Sequence, residues 1–413
     1  MARIILPVAL FVMLIGMYAC GTPQAARLQP VVVRPVTPEV SMKYNFYKAN
    51  DSLYVFLRFE DEQEVMDVLQ STTALEYFVR TGLSDRDKVL AADSLVRPPR
   101  KITDVEGQLH MSFVLPASLV QEPNVLHLRL WQAMVGQERM AVRYRVPLKA
   151  QMLDKSYLLI NASTDKAVFS NYCNTSEKYA VRFYNGQVRP ITAHLHKIEF
   201  APALPPMSLR EVPDQLDLPV MDTLVFNDGD TITFDQEGLY LFEPSSAFSK
   251  GILVQRWAYP QVSMAEELVQ PLIYITSSAE REELYRAADP KAAVDDFWLK
   301  VAGDKATARE LIRSYYGRVE KANKLFTSHK VGWTTDRGMI YIIYGKPSTI
   351  SQTGNTETWI YRESPTSPYV KFVFNKKEDN FTENNYELVR RREYEESWYS
   401  TVAKWRAGIT DNM

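Results

Sequence analysis

The sequence predicts a multidomain chain: two N-terminal antiparallel β-sandwich domains followed by an α+β domain. Three observations predict it. Apolar residues alternate with a period of two from about residue 44 to about 150. The same texture, with strong turn signals, continues from about 152 to 262. Past Met264 apolar residues recur at intervals of three and four, the spacing of one helix face, before strands return. The expected division is 1–19 as an apolar leader, 20–40 as a proline-rich tether opening on Cys20, 41–150 and 151–263 as sandwiches, and 264–413 as the α+β domain.

The N-terminus carries the targeting information. Arg3 supplies a positive charge, and Ile4 to Tyr18 is almost wholly apolar. That stretch suits a secretory signal and falls short of the roughly 20 residues of a membrane-spanning helix. It ends in Met17-Tyr18-Ala19-Cys20-Gly21. A small residue, a cysteine and another small residue after an apolar stretch resemble a lipobox, the processing site of bacterial lipoproteins. The resemblance implies that Cys20 becomes the mature N-terminus and carries acyl chains, which hold a protein on a membrane when more than one is present. Pro23, Pro30, Pro35 and Pro38 make the following segment an extended tether. No acidic residue precedes Glu39, and Gly rather than Asp follows the cysteine. By bacterial sorting rules this places the anchor at the outer membrane, facing the periplasm.

The first sandwich is read from strands at 53–59, 75–81, 109–115, 125–131 and 140–148. Ala49-Asn50-Asp51, Glu106-Gly107 and Val135-Gly136 mark turns between them. The second is read from strands at 157–160, 179–184, 191–200, 231–234, 238–242 and 252–258. Asn185-Gly186 and Asn227-Asp228-Gly229-Asp230 turn the chain. Helices are expected at 280–285, 290–301 and 307–326. In the last, Leu311, Ile312, Tyr315, Tyr316, Val319, Ala322 and Phe326 form one apolar stripe. Strands are expected at 339–344, 357–361 and 370–374, and a closing helix at 395–405.

The segment from Val331 to Pro347 carries Gly332, Trp333, Thr335 and Asp336, and it resembles the signature of the GWxTD domain, found mainly in Bacteroidetes and related bacteria. Phe297-Trp298 upstream, Tyr315-Tyr316 with Ala322-Asn323 in the long helix, and Glu357-Thr358-Trp359 with Tyr361 downstream extend the resemblance over about residues 265–413. The family brings no catalytic activity to carry over. Read physically, Gly332 permits a sharp turn, Trp333 buries a ring against the helix stripe, Asp336 accepts N–H bonds within its own turn, and Gly338 frees the turn exit. Arg337 is the residue a turn does not require. It is expected to pair with Asp336 or Glu357, or to grip an anionic partner. Glu357 and Trp359 are candidate binding neighbours of the motif.

Other chemistry is sparse. The chain holds 48 Lys and Arg against 50 Asp and Glu, a balance that argues against nucleic acid as the main partner. With Cys20 consumed by lipid, Cys173 has no disulfide partner. His194 and His196 alternate on one strand face but lack a third ligand at convincing spacing, so no metal and no cofactor is expected. Nucleophile elbows, zinc-protease motifs and phosphate loops are absent from the sequence. Arg390-Arg391-Arg392, mixed with Glu393, Glu395 and Glu396, reads as a solvated face or a basic ridge. The expected function is a non-enzymatic envelope lipoprotein whose partners are the membrane, through Cys20, and another envelope protein, in an outer-membrane assembly or secretion machine. The alternative is a periplasmic glycan-binding protein or hydrolase acting on an envelope polymer, with a cleft at Trp333, Asp336 and Glu357. Any small-molecule ligand is left open.

Overall fold

The computed structural model describes residues 42–59, 72–95, 103–105, 108–132, 141–184, 190–198, 200–210, 218–246, 250–362, 366, 368–378 and 381–409. Cys20, the apolar leader and the tether lie outside the described residues, as do the turns at 106–107, 135–136 and 185–186. No helix among the described residues is long and apolar enough to cross a membrane.

The first region holds β1 (Met42–Ala49), β2 (Ser52–Phe59), β3 (Thr72–Arg80), β4 (Val89–Leu95), β5 (Thr103–Val105), β6 (Gln108–Pro116), β7 (Val125–Gln132) and β8 (Ala141–Pro147). They form two four-stranded antiparallel sheets, ordered β1-β2-β6-β5 and β4-β3-β7-β8. Alternation explains the packing. Leu53, Val55 and Leu57 point from one face of β2 into a shared core with Val79 of β3 and Leu126, Leu128 and Leu130 of β7.

The second region comprises β9 (Tyr157–Asn161), β10 (Lys166–Ala167), β11 (Tyr172–Asn174), β12 (Lys178–Phe183), β13 (Ile191–His196), β14 (Val220–Phe226), β15 (Thr231–Thr233), β16 (Gly238–Phe242) and β17 (Lys250–Gln255). Its sheets are ordered β10-β9-β12-β15 and β11-β17-β16-β13-β14. The β11–β17 pair is parallel, an exception in an otherwise antiparallel sandwich. Cys173 on β11 is buried in this core, where burial pushes its thiol pKa up. His196 is buried and its Nδ1 faces the Leu218 carbonyl oxygen at 3.0 Å. The described residues contain no group of three His, Cys, Asp or Glu that could hold a metal.

The third region carries α1 (Ala265–Val269), α2 (Ser278–Arg286), α3 (Pro290–Ala302), α4 (Lys305–Phe326), α5 (Asp336–Tyr344) and α6 (Glu395–Arg406). It also carries a four-stranded antiparallel sheet, β18 (Thr349–Thr353), β19 (Thr356–Arg362), β20 (Tyr369–Lys376) and β21 (Tyr386–Leu388). Asp304 starts α4 by accepting the N–H groups of Ala306 and Thr307 at 2.8 and 3.0 Å. The stripe predicted on α4 is buried at Leu311, Tyr315, Val319, Ala322 and Phe326. Each large side chain so buried stabilises by about 1.5–3 kcal/mol.

The expected strand at 339–344 is instead α5. All six residues from Met339 to Tyr344 are buried, so the apolar run carries neither a period of two nor one of 3.6. What decides the matter is Thr335, whose Oγ1 accepts the Gly338 N–H at 3.0 Å and caps a helix start.

The regions are joined by specific bonds. The Lys155 ammonium donates to Asn45 Oδ1 at 2.5 Å and lies over the Phe46 ring. Burial, aided by the nearby Lys250 charge, lowers its pKa to about 7. Tyr47 stacks on Tyr184 at 3.6 Å between ring centres. Toward the third region, the Gly251 N–H donates to the Phe381 carbonyl at 2.6 Å, and Asn171 Nδ2 to the Thr327 carbonyl at 3.1 Å. A Cβ on Gly251 would stand 2.8 Å from that Phe381 oxygen, so the close approach requires glycine. Glu383 takes ammonium groups from both sides, Lys250 at 2.6 Å and Lys376.

Candidate functional site

The motif folds as one turn of 3-10 helix at Gly332–Thr334, followed directly by α5. Gly332 is required by proximity. A Cβ there would meet the Ala322 carbonyl oxygen of α4 at 2.1 Å. Gly338 is blocked in the same way, since its Cβ would stand 1.9 Å from the Gly332 oxygen. Neither glycine is among those with positive φ, so both serve close packing rather than a left-handed turn. Gly338 lies in the first turn of a helix, not at a turn exit.

The backbone of this turn is held from four directions. Asn323 of α4 accepts the Trp333 N–H at 3.0 Å and donates to the Pro260 carbonyl at 3.1 Å. Tyr259 faces the turn with its hydroxyl, which accepts the Gly332 N–H at 3.2 Å. Tyr274 donates to the Trp333 carbonyl at 3.0 Å. Thr335 Oγ1 donates to the Gly332 carbonyl at 2.8 Å while capping α5. The Trp333 ring is 8% exposed and meets Tyr274 edge-on at 6.1 Å.

Asp336 does not bond within its own turn. Its Oδ2 accepts the Leu388 N–H of β21 at 2.7 Å, and both oxygens engage the Arg390 guanidinium, at 2.5 and 3.1 Å. A bidentate pair of this kind fixes orientation as well as charge. The pair is nearly sealed, with side-chain exposures of 9% for Asp336 and 11% for Arg390. The expected basic ridge therefore loses its first arginine to the interior, while Arg391 pairs with Glu393 on the surface.

Arg337 is likewise buried. Its guanidinium stacks on Tyr386 at 4.0 Å and lies 5.2 Å from the Phe326 ring. It donates to the Asn384 carbonyl at 2.9 Å and faces Glu357 at 3.5 Å. Of the two carboxylates considered from sequence, Glu357 is thus the one it meets. Glu357 in turn accepts from the Trp359 indole at 2.6 Å, and Trp359 is 1% exposed. Trp333 and Asp336 are buried, and the Glu357 side chain, 13% exposed, is turned toward Arg337 and Trp359.

A strap from the second region closes the arrangement. The Ala203 N–H donates to the Thr334 carbonyl at 2.9 Å. Arg390 donates to the Leu204 carbonyl at 3.2 Å, and the Arg391 N–H to the Pro206 carbonyl at 3.1 Å. The motif is a clasp that binds α4, α5, β21 and the 203–206 strap around one turn. Sequence reasoning missed Tyr259, Tyr274 and Asn384, and it named Asn323 and Arg390 without tying them to the turn. They sit from ten to more than seventy residues from the turn, and no local spacing announces them.

Beside the clasp, His329 is buried. Burial and the Lys330 charge push its pKa down to about 3, so its ring is neutral near pH 7.

Residues 238–407 match the family model of the GWxTD domain. No curated protein matches the chain. The matched span begins at β16 and so includes Tyr259 and Pro260, which bond to the clasp, but not the 203–206 strap.

Proposed function

We propose, with the GWxTD domain at residues 238–407 as the starting point, that this protein is an envelope lipoprotein. It is tethered to the outer membrane through Cys20, faces the periplasm, and acts as a non-enzymatic structural and docking module. Its partner is another envelope protein of an outer-membrane assembly or secretion machine. The observation that carries the reading is how the motif is spent. Asp336 and Arg337, with Glu357 largely covered beside them, are the groups most suited to chemistry, and they are bonded to Arg390, Asn384 and Trp359. A motif used wholly for bracing supports a body that presents surfaces, with the β regions as its spacers and contact faces. The lipobox-like segment ending at Cys20 supports the anchor.

The test has two arms. Wild-type protein should incorporate labelled fatty acid and sediment with membranes, and Cys20→Ala should do neither. Wild type that takes up no label, with Cys20→Ala still sedimenting after a salt wash, overturns the anchor. Cross-linking in native envelopes should yield a defined complex with an outer-membrane protein. A free monomer under those conditions, or turnover of an envelope glycan by the purified protein, overturns the docking role.

A further inference from the structure

The outer face of the sheet β4-β3-β7-β8 carries a charge pattern that the fold does not require. Leu126, Leu128 and Leu130 of β7 point into the first core, so His127, Arg129 and Trp131 point away from it. Register sets the neighbours of these side chains across the strands. One rung is Glu76 of β3, Arg129 of β7 and Arg143 of β8. The next is Phe78, His127 and Arg145. Basic side chains therefore stand directly opposite each other twice, and like charges so placed weaken a sheet.

Their partners do not balance them. Arg129 has Glu76 at 3.8 Å and lies over the Phe78 and Trp131 rings. His127, Arg143 and Arg145 all turn to one carboxylate, Asp85, at 3.4, 3.5 and 3.5 Å. A well-formed charge-assisted bond measures about 2.7–2.9 Å, so Asp85 is divided among three groups and holds none of them closely. Burial alone would raise the Asp85 pKa, yet the Arg143, Arg145 and Arg129 charges bring it below its ordinary value. The three arginines thus act on one point. Asp87, the next carboxylate in the loop, is turned inward to accept the Ser84 N–H at 2.8 Å. Arg143 and Arg145 keep 55% and 39% of their side chains exposed.

β8 is also a sheet edge. It pairs with β7 on one side, and no described strand pairs with the other. Such an edge offers backbone N–H and C=O groups for pairing. Arginines there repel a second copy of the same edge, since like charges would meet, and they attract a strand of opposite charge. Arg143 and Arg145 are two residues apart, about 6.8 Å along the strand, which is also the repeat of same-face side chains in an extended peptide.

We propose that the β8 edge receives an extended acidic segment of a partner protein, which adds a strand and sets carboxylates at alternate positions against Arg143 and Arg145. Asp85 is the internal stand-in for those carboxylates. The inference deepens the docking role proposed above and rests on it for the source of the segment.

The test is fluorescence anisotropy of a labelled peptide with Glu at every second position and Thr between, titrated with the full-length protein at constant ionic strength. The peptide should bind saturably, and its Gln counterpart should not. Arg143→Glu and Arg145→Glu, both at exposed positions, should each weaken binding about tenfold or more without lowering the circular dichroism melt. Asp85→Asn should strengthen binding severalfold, because it removes the competing carboxylate. Binding that survives both charge reversals, or that Asp85→Asn leaves unchanged, overturns the site. A peptide with the same residues arranged in blocks should bind more weakly; equal binding overturns strand addition in favour of a diffuse basic patch. Anionic phospholipid vesicles that sediment the protein while the peptide fails to bind overturn the protein partner in favour of a membrane surface. Failure of peptide binding with the envelope cross-link still formed overturns this inference and leaves the docking role standing.

Discussion

Asp336→Ala should unfasten the clasp. The substitution leaves the Arg390 guanidinium, 11% exposed, without its carboxylate. It also leaves the Leu388 N–H without the oxygen it meets at 2.7 Å. Removing one member of a buried ion pair costs about 3–5 kcal/mol. Orphaning a buried backbone donor costs about 1–3 kcal/mol. The two losses share one desolvated space, so their sum overcounts, and about 4 kcal/mol is the expected total. Five of the seven tryptophans lie between residues 298 and 405, which makes tryptophan fluorescence during urea unfolding a direct reporter. The strap should loosen too, because the same guanidinium holds the Leu204 carbonyl, and limited proteolysis should cut faster within residues 201–210. The double replacement Asp336→Leu with Arg390→Met removes both charges and should recover about 2 kcal/mol of the loss. A cost below about 1 kcal/mol for Asp336→Ala, the size of an exposed pair, would refute the buried clasp.

Further expectations concern the same framework. Gly338→Ala forces a methyl against the Gly332 oxygen, 1.9 Å from the ideal Cβ position, and should destabilise by about 3 kcal/mol, the upper end for overpacking; an unchanged thermal melt would show that α5 can slide. For Glu383, burial favours the neutral form, but the Lys250 and Lys376 charges outweigh it and hold the carboxyl down to about 2, from an ordinary 4.5. Its folded pKa is depressed, so its contribution is present above about pH 4.5 and is lost as pH falls toward 2. Glu383→Gln should therefore be less stable at pH 7 and lose less stability across that acid window, as urea titrations at stepped pH would read; parallel curves would refute the coupling. Residues 265–413 expressed alone lack Tyr259, Pro260 and the strap, and should melt below the same domain in the full chain. Equal melting temperatures by circular dichroism would mean those bonds add nothing.

Strands with one wet face were the most legible elements. Leu53, Val55 and Leu57 alternate with less buried neighbours in β2, and the expected 53–59 strand appears at Ser52–Phe59. The α4 stripe was equally plain, because Glu310, Arg313, Arg318, Glu320 and Lys321 read as the other side, although Arg318 in fact turns in to donate to the Ile342 and Ile343 carbonyls. Legibility failed where burial was complete. α5 offers no polar face, and its identity rests on the Thr335 cap rather than on any pattern. β14 escaped for the opposite reason. Val220, Met221 and Val225 are exposed apolar residues on an edge strand, so hydrophobicity there does not track the interior. The motif's location was readable from its residues, but the role of Asp336 was not. A short carboxylate beside a glycine looks like a local turn acceptor, and only the folded chain brings Leu388 and Arg390 to it.

The strap also sets an order in time. The Arg390 guanidinium joins Asp336, 54 residues before it, to Leu204, 186 residues before it. While the chain is being made, Leu204 and Asp336 emerge well ahead of the side chain that ties them. Until then Asp336 is a bare carboxylate in an unfinished interior, and Leu204 and Pro206 lack the bonds to Arg390 and Arg391 that complete the strap. Contacts so distant in sequence close late. A nascent protein stopped short of residue 390 therefore presents an open strap to proteases, whereas one that passes it can shut.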